Sequence, residues 1–204
     1  TGNVVTGRKG AFFIDFEVQG VAAHSGVNPY KGASAIDAIA RKVVELHQLN
    51  DPNAGVSANV GTIQGGMTVN TVADHARAQL DVRYPGNVDR EALHAKILEI
   101  IQRHGVKNTH AHVTHEGVFF PLQPSPESLE LLARYQACAA TLDMKVEGEF
   151  TGGSADSGLT ASVGAPTLCA TGPVGGDVHT DREWLRVDGL VPRAQALALT
   201  ILGL

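Results

Sequence analysis

Four stretches in the first half of the chain alternate apolar and polar residues with the two-residue period of a β-strand. Phe12, Ile14, Phe16 and Val18 alternate with Phe13, Asp15, Glu17 and Gln19, and Val56, Ala58 and Val60 with Ser57, Asn59 and Gly61. Ala76, Ala78, Leu80 and Val82 alternate with Arg77, Gln79, Asp81 and Arg83, and Ala111 and Val113 with His110, His112 and Thr114. Strands with a single apolar face predict an antiparallel sheet covered on one side only. Between them, Ala33, Ile36, Ile39, Ala40, Val43 and Val44 recur at helical spacing, as do Leu93, Ile97, Ile100 and Ile101. Asn87 or Asp89 is placed to cap the second helix and Gly105 to end it. The resulting order, β-α-β-β-α-β, is the ferredoxin-like arrangement of an α+β fold. Both helices then cover the apolar face, the opposite face is wet, and the edge strands are free to pair with another chain.

The texture changes at Phe119-Phe120-Pro121-Leu122-Gln123-Pro124-Ser125-Pro126, where three prolines break regular structure. Beyond it the pattern predicts a helix over about 127–141 and a strand ending at Phe150. A Gly-rich turn with a short helix (152–163) and a buried strand over 166–170 come next, then a final helix over about 188–202. Two strands and three helices make a poor domain, because so small a sheet leaves helix faces uncovered. That imbalance, together with an opening residue (Thr1) that is not Met, reads as a processed or partial chain.

Composition narrows the partners. The chain of 204 residues is 43% hydrophobic and 18% charged, as in ordinary globular proteins. A formal charge of −5 argues against nucleic acid, and no apolar run approaches the roughly 20 residues that span a bilayer. A small molecule or peptide is the expected partner; the compartment is left open. Two cysteines, Cys138 and Cys169, do not make a disulfide framework, and their small, apolar neighbours predict buried thiols.

Several residues are placed for chemistry. His24, in Val21-Ala22-Ala23-His24-Ser25-Gly26, follows a strand among small residues and can donate to a developing oxyanion or carry a proton. His179 follows Gly175-Gly176 and stands between Asp177 and Asp181, acids suited to orienting a metal-bound imidazole; a zinc site, however, needs about four ligands. Thr151-Gly152-Gly153-Ser154 lets backbone approach a ligand and then starts a helix, whose amides favour anions. Asn70, in a loop between strands, and Arg83, on a strand's polar face, are fit to bind a carboxylate or carbonyl. His110, His112 and His115 form a His-x-His-x-x-His series; regular strand geometry puts His115 on the face opposite the other two, and a solvated face accounts for the series better than a metal.

Taken in order, His24-Ser25-Gly26, the Asn70 loop with Asp81-Val82-Arg83-Tyr84, Gly152-Gly153-Ser154-Ala155-Asp156 and His179-Thr180-Asp181-Arg182-Glu183-Trp184 resemble one family over essentially the whole chain. It is the co-catalytic zinc metallopeptidase and deacylase family of glutamate carboxypeptidase, acetylornithine deacetylase, succinyl-diaminopimelate desuccinylase and aminoacylase. The resemblance implies a lid and dimerisation domain over 8–117, with 1–7 and 118–204 as part of a catalytic domain. It implies two zinc ions per active site, with cobalt or manganese as alternatives, and an N-acyl amino acid or small peptide as substrate. His179 would be a metal ligand and His24 would polarise the scissile carbonyl, commonly in the other subunit of a homodimer. Asn70, Arg83 and the Gly153 backbone would hold substrate. The family's remaining metal ligands and catalytic Glu lie upstream of the lid and have no counterpart in these residues, so the isolated chain is expected to be inactive. The competing expectation is a non-catalytic dimerisation or ligand-binding module.

Overall fold

The computed structural model describes residues 2–203. They divide into two compact units: Gly10–Phe119, and the residues before Gly10 together with those from Phe120 onward. Strand β1 (Val4–Arg8) belongs to the second unit. The first contains β2 (Gly10–Gln19), β3 (Ala23–His24), α1 (Ala35–His47), β4 (Ser57–Gly65), β5 (Thr71–Val72), β6 (His75–Tyr84), α2 (Arg90–Gln102) and β7 (His110–Phe119).

The four long strands form one antiparallel sheet in the order β4-β6-β2-β7. Phe12, Ile14, Phe16 and Val18 of the central strand are at most 2% exposed, and they pack with Ala78, Leu80 and Val82 under Ile39, Leu46, Ile97 and Ile101 of the helices. The alternation is thus the cause of the layer: one face of each strand is apolar and the helices cover it. The expected ferredoxin-like order holds. A two-residue pairing, β3 with β5, is added where no alternation signalled a strand.

Two details differ from the sequence reading. Helix α1 buries Ala35, Ala38, Ile39, Lys42 and Leu46, whereas Ile36 and Val44 stay 44% and 61% exposed. The apolar residues wrap around more of the helix than the sheet covers, so one edge of the stripe, Ile36-Ala40-Val44, stays outside. Helix α2 is capped by Asp89, whose carboxylate accepts from the Ala92 amide at 3.0 Å, and it ends at Gln102 without using Gly105.

Lys42 is 5% exposed and caps α2 from its neighbour: its Nζ donates to the carbonyls of Ile100 (3.2 Å) and Arg103 (2.6 Å). Those carbonyls lie in the last turn of the helix, where a cation is favourable. Burial, with the Arg103 charge adding to it, pulls the Lys42 ammonium below its ordinary pKa. Between the lowered folded value and the ordinary one, the unfolded chain binds more protons, so stability rises with pH across that alkaline window. Lys42→Met should flatten the rise in urea-unfolding measurements between neutral pH and about 10.5; an unchanged profile would show that the ammonium is not the titrating group.

In the second unit β1 pairs in parallel with β8 (Gly148–Thr151), after α3 (Pro126–Ala140), which Ser125 caps through the Ser128 amide at 3.1 Å. Helix α4 (Ser157–Ser162), the short hairpin of β9 (Gly175–Gly176) with β10 (Trp184–Leu185), and α5 (Leu190–Leu202) follow. The buried strand expected over 166–170 does not form. Only Cys169 bridges, exchanging bonds of 2.8 and 3.0 Å with Val5, because the Thr167 amide is taken by Ser128 Oγ at 2.9 Å and Ala170 turns to φ +58°. Both thiols are half-buried rather than buried. No described helix is long and apolar enough to cross a membrane.

Candidate active site

His24 is held by its own turn. Strand β3 pairs with β5 in the register His24–Thr71, and the chain then turns so that the Asn28 amide donates to the His24 carbonyl at 3.1 Å. The Gly26 and Val27 amides donate to Nδ1 of the ring at 3.1 and 3.3 Å. A nitrogen that accepts cannot carry the proton, so this hydrogen bonding assigns the neutral tautomer with Nε2–H. The side chain is exposed. The turn therefore prepares a single outward donor, as an oxyanion-stabilising imidazole requires.

Asn70 is brought to the same tip. Its carbonyl accepts from the Ser25 amide at 3.0 Å, and the loop behind it closes through Thr68 and Thr71, whose hydroxyls lie 2.9 Å apart. Thr68 and Thr71 were not legible as supports, since hydroxyls near a Gly-Gly turn are common and the β3–β5 pairing is only two residues long.

Arg83 is elsewhere. It pairs with Ala11 near the start of β2, at the end of the sheet where the chain enters and leaves the unit. Eight residues along β6 separate it from His75, which is about 27 Å at strand rise. Its guanidinium binds Asp81 through two bonds of 2.7 and 2.8 Å and lies 4.9 Å from the centre of the Phe13 ring. Within one copy the structure does not bring Arg83 to His24 and Asn70.

Gly153 and His179 belong to the second unit. The Gly153 carbonyl accepts from Arg8 Nη1 at 2.9 Å, and Arg8 Nε reaches Cys169 Sγ at 3.3 Å. Arg8 is a site neighbour that sequence reasoning missed, because β1 is too short to show a clear alternation. Helix α4, which follows Gly153, has only six residues and Asp156 at its N-cap. A carboxylate there opposes an anion, against the sequence expectation. His179 is exposed in the loop between β9 and β10, with φ +66°, two residues after Asp177 at φ +53°. The loop is closed by Thr180, whose hydroxyl donates to the Asp177 carbonyl at 2.7 Å and whose carbonyl accepts from the Glu183 amide at 3.1 Å. Left-handed backbone at two non-glycine residues costs energy, and its retention next to an exposed imidazole marks the loop as a candidate site.

Among the described residues, no three His, Cys, Asp or Glu side chains group to hold a metal ion. The histidines of β7 add a correction. His110, His112 and His115 lie opposite Gln19, Glu17 and Asp15, and so all share the wet face. A bulge between His115 and Val113 inserts Thr114 and resets the alternation, which strict two-residue periodicity does not anticipate.

A family model described as the peptidase dimerisation domain of M20 proteins matches residues 6–109. The chain belongs to the M20 peptidase family. This M20 chain is 26% identical to the uncharacterized protein YqjE of Bacillus subtilis, over 98% of its own length and 53% of that protein. It is 24% identical to carboxypeptidase G2 of a Pseudomonas species (97% and 48% covered) and 28% identical to succinyl-diaminopimelate desuccinylase of Stenotrophomonas maltophilia (90% and 49%). Among solved structures, aminopeptidase PepT of Bacillus cereus matches with a TM-score of 0.75 and 25% identity, over 98% of this chain and 53% of that one. The chain thus spans about half the length of these relatives. Three of them are named for hydrolytic activities, a carboxypeptidase, a desuccinylase and an aminopeptidase, and the mixed α/β fold of this chain matches the solved structure.

Proposed function

We propose that this chain acts within a metal-dependent amide hydrolase, cleaving an N-acyl amino acid or small peptide, with residues 8–117 as the lid and 1–7 with 118–204 as part of the catalytic domain. The observation that carries the reading is the turn at His24, where two backbone amides on Nδ1 leave Nε2–H as the only ring donor. That donor suits the carbonyl oxygen of a scissile amide, which gains negative charge as the bond is attacked. The adjacent Asn70 side chain would hold a polar group of the same substrate; Arg83, at the other end of the lid, and, in the other unit, the Gly153 backbone are further candidates for substrate binding. Because the His24 tip and Arg83 are separated by most of the sheet, one small substrate meets both only if they come from two copies. This supports a homodimer in which His24 acts in the partner's site.

Zinc, or cobalt or manganese in its place, is the expected metal, with His179 as one ligand. The residues of this chain do not by themselves make the site, since no three ligand side chains group among those described. The remaining ligands and the proton-transferring Glu would have to come from residues outside this sequence, and the 204 residues alone are expected to hydrolyse nothing. The same observation is what favours the second reading, a dimerisation module without catalysis. The experiment uses the longest protein encoded around this sequence, loaded with zinc and assayed for metal by mass spectrometry. His179→Ala should lower metal occupancy relative to the parent. Equal occupancy would remove His179 from the ligand set, and a parent that binds no metal would favour the module.

A further inference from the structure

Four large apolar side chains of Gly10–Phe119 are far more exposed than the rest, and all four lie on the tip that carries His24 and Asn70. Val69 and Tyr30 are fully exposed, Met67 is 86% and Val27 77% exposed, and the next, Val44 on α1, falls to 61%. Singly exposed apolar residues are ordinary, but their concentration at one place marks a surface that meets something. The two segments that carry them, 24–31 and 67–71, hold no acidic residue, and Lys31 is their one fixed charge.

Two of the four are anchored to the polar groups. The Val27 amide donates to Nδ1 of His24 at 3.3 Å, which ties Val27 to the inner edge of the ring. Val69 and Asn70 are the central residues of a turn closed by the Thr71 amide on the Thr68 carbonyl at 3.2 Å. The Asn70 carbonyl in turn holds the amide of Ser25, next to His24. Both valines are β-branched, so few rotamers are open to them and little side-chain freedom is lost on contact. The tip therefore offers one outward N–H and one amide side chain, with an apolar group fixed to each. A few placed polar groups among apolar ones is the composition of a surface that binds a small molecule.

From this arrangement we infer that Val27 and Val69 set substrate preference. The amide that is cleaved carries a large apolar group next to the scissile bond, and the two valines cover that group while His24 meets the carbonyl oxygen. The inference rests on the hydrolase reading above and narrows its substrate class. A basic side chain finds no carboxylate on these segments, and a glycine leaves both valines in water. An apolar group removes them from it, which is favourable in proportion to the area covered. Such contacts are made in the bound and transition states alike, so their effect belongs in KM, whereas that of His24 belongs in kcat.

The test uses the longest protein encoded around this sequence, loaded with zinc and assayed on N-acetylglycine, N-acetylphenylalanine and N-benzoylglycine. The last two place an apolar group on one side of the amide or the other. For at least one of them kcat/KM should exceed that for N-acetylglycine by about tenfold or more, a usual discrimination for an apolar pocket. Val27→Thr combined with Val69→Thr keeps the side-chain shape and adds polarity at exposed positions. This pair should remove most of the preference, mainly through KM, and Val27→Ile with Val69→Ile should keep it. Equal rates on all probes in the parent, or a preference that the threonine pair leaves unchanged, would overturn the inference. The hydrolase reading would stand in either case if His24→Ala still lowered turnover. A parent that cleaves none of the probes would overturn both.

Discussion

On the proposed function, His24→Ala in the longest protein encoded around this sequence is expected to lower kcat by about 10²- to 10³-fold, the usual cost of one oxyanion donor, with bound metal unchanged. The argument is local. Nδ1 is occupied by the Gly26 and Val27 amides, so the ring's only available function is donation from Nε2. Alanine removes that donor and leaves two backbone amides that water can satisfy, because the turn is exposed. The loss should therefore appear in turnover rather than in folding. Substrate affinity should change less than kcat, since the charge that His24 meets is largest in the transition state. Mixing this variant with a variant inactivated in the catalytic domain offers a sharper form of the test. If His24 serves the partner's site, mixed dimers regain activity in one of their two sites. Full turnover by His24→Ala would end the oxyanion role, and absence of recovery in mixed dimers would confine His24 to its own copy.

The second large effect is on stability. Arg193→Met should destabilise the unit that contains α5 by about 3–5 kcal/mol in urea unfolding. The guanidinium is 5% exposed and has backbone carbonyls for partners: Gly172 at 2.7 Å, Gly2 at 2.9 Å, Ala170 at 3.1 Å and Asn3 at 3.4 Å. It also lies 5.9 Å from the centre of the Tyr135 ring, the phenol that burial pushes above its ordinary pKa. One side chain thus ties the chain's beginning and the segment after Cys169 to the last helix. Methionine fills part of the volume but leaves these carbonyls without a donor. Arg193→Lys should recover only part of the loss, because a single ammonium cannot span a fork of partners. A loss below about 1 kcal/mol for Arg193→Met would mean that water replaces the clamp.

The lid was legible because its strands carry the simplest signal a sequence holds. Phe12, Ile14, Phe16 and Val18 can alternate with polar residues only if one face is buried, and that requirement alone orders the four-stranded layer. Helix α1 was legible as a helix but not in rotation: Ile36, Ala40 and Val44 satisfy the same period as Ile39 and Leu46, and only the width of the sheet beneath decides which are covered. His115 was misplaced for a related reason. Period-two reasoning has no means of foreseeing one inserted residue, and the Thr114 bulge is compensated by a partner strand distant in sequence. The strand expected over 166–170 failed where Ser128 competes for the Thr167 amide, a contact between residues 39 apart.

The candidate site divides in the same way. His24, Asn70, Arg83, Gly153 and His179 could be chosen from residue type and neighbours, since exposed imidazoles and glycine turns announce themselves locally. Their grouping could not. That His24 and Asn70 share one tip depends on the β3–β5 pairing, and Arg83's distance from them depends on a ten-residue strand running straight. By itself the sequence determined the α+β class, the burial of the lid's strands and the chemical character of each exposed group, all of which follow from periodicity and side-chain type. Only the tertiary structure decided the His24 tautomer, the pairing of Arg8 with Gly153 and the Lys42 cap on α2. Each of these is a hydrogen bond whose partner is selected by packing, and short-range pattern carries no record of that choice.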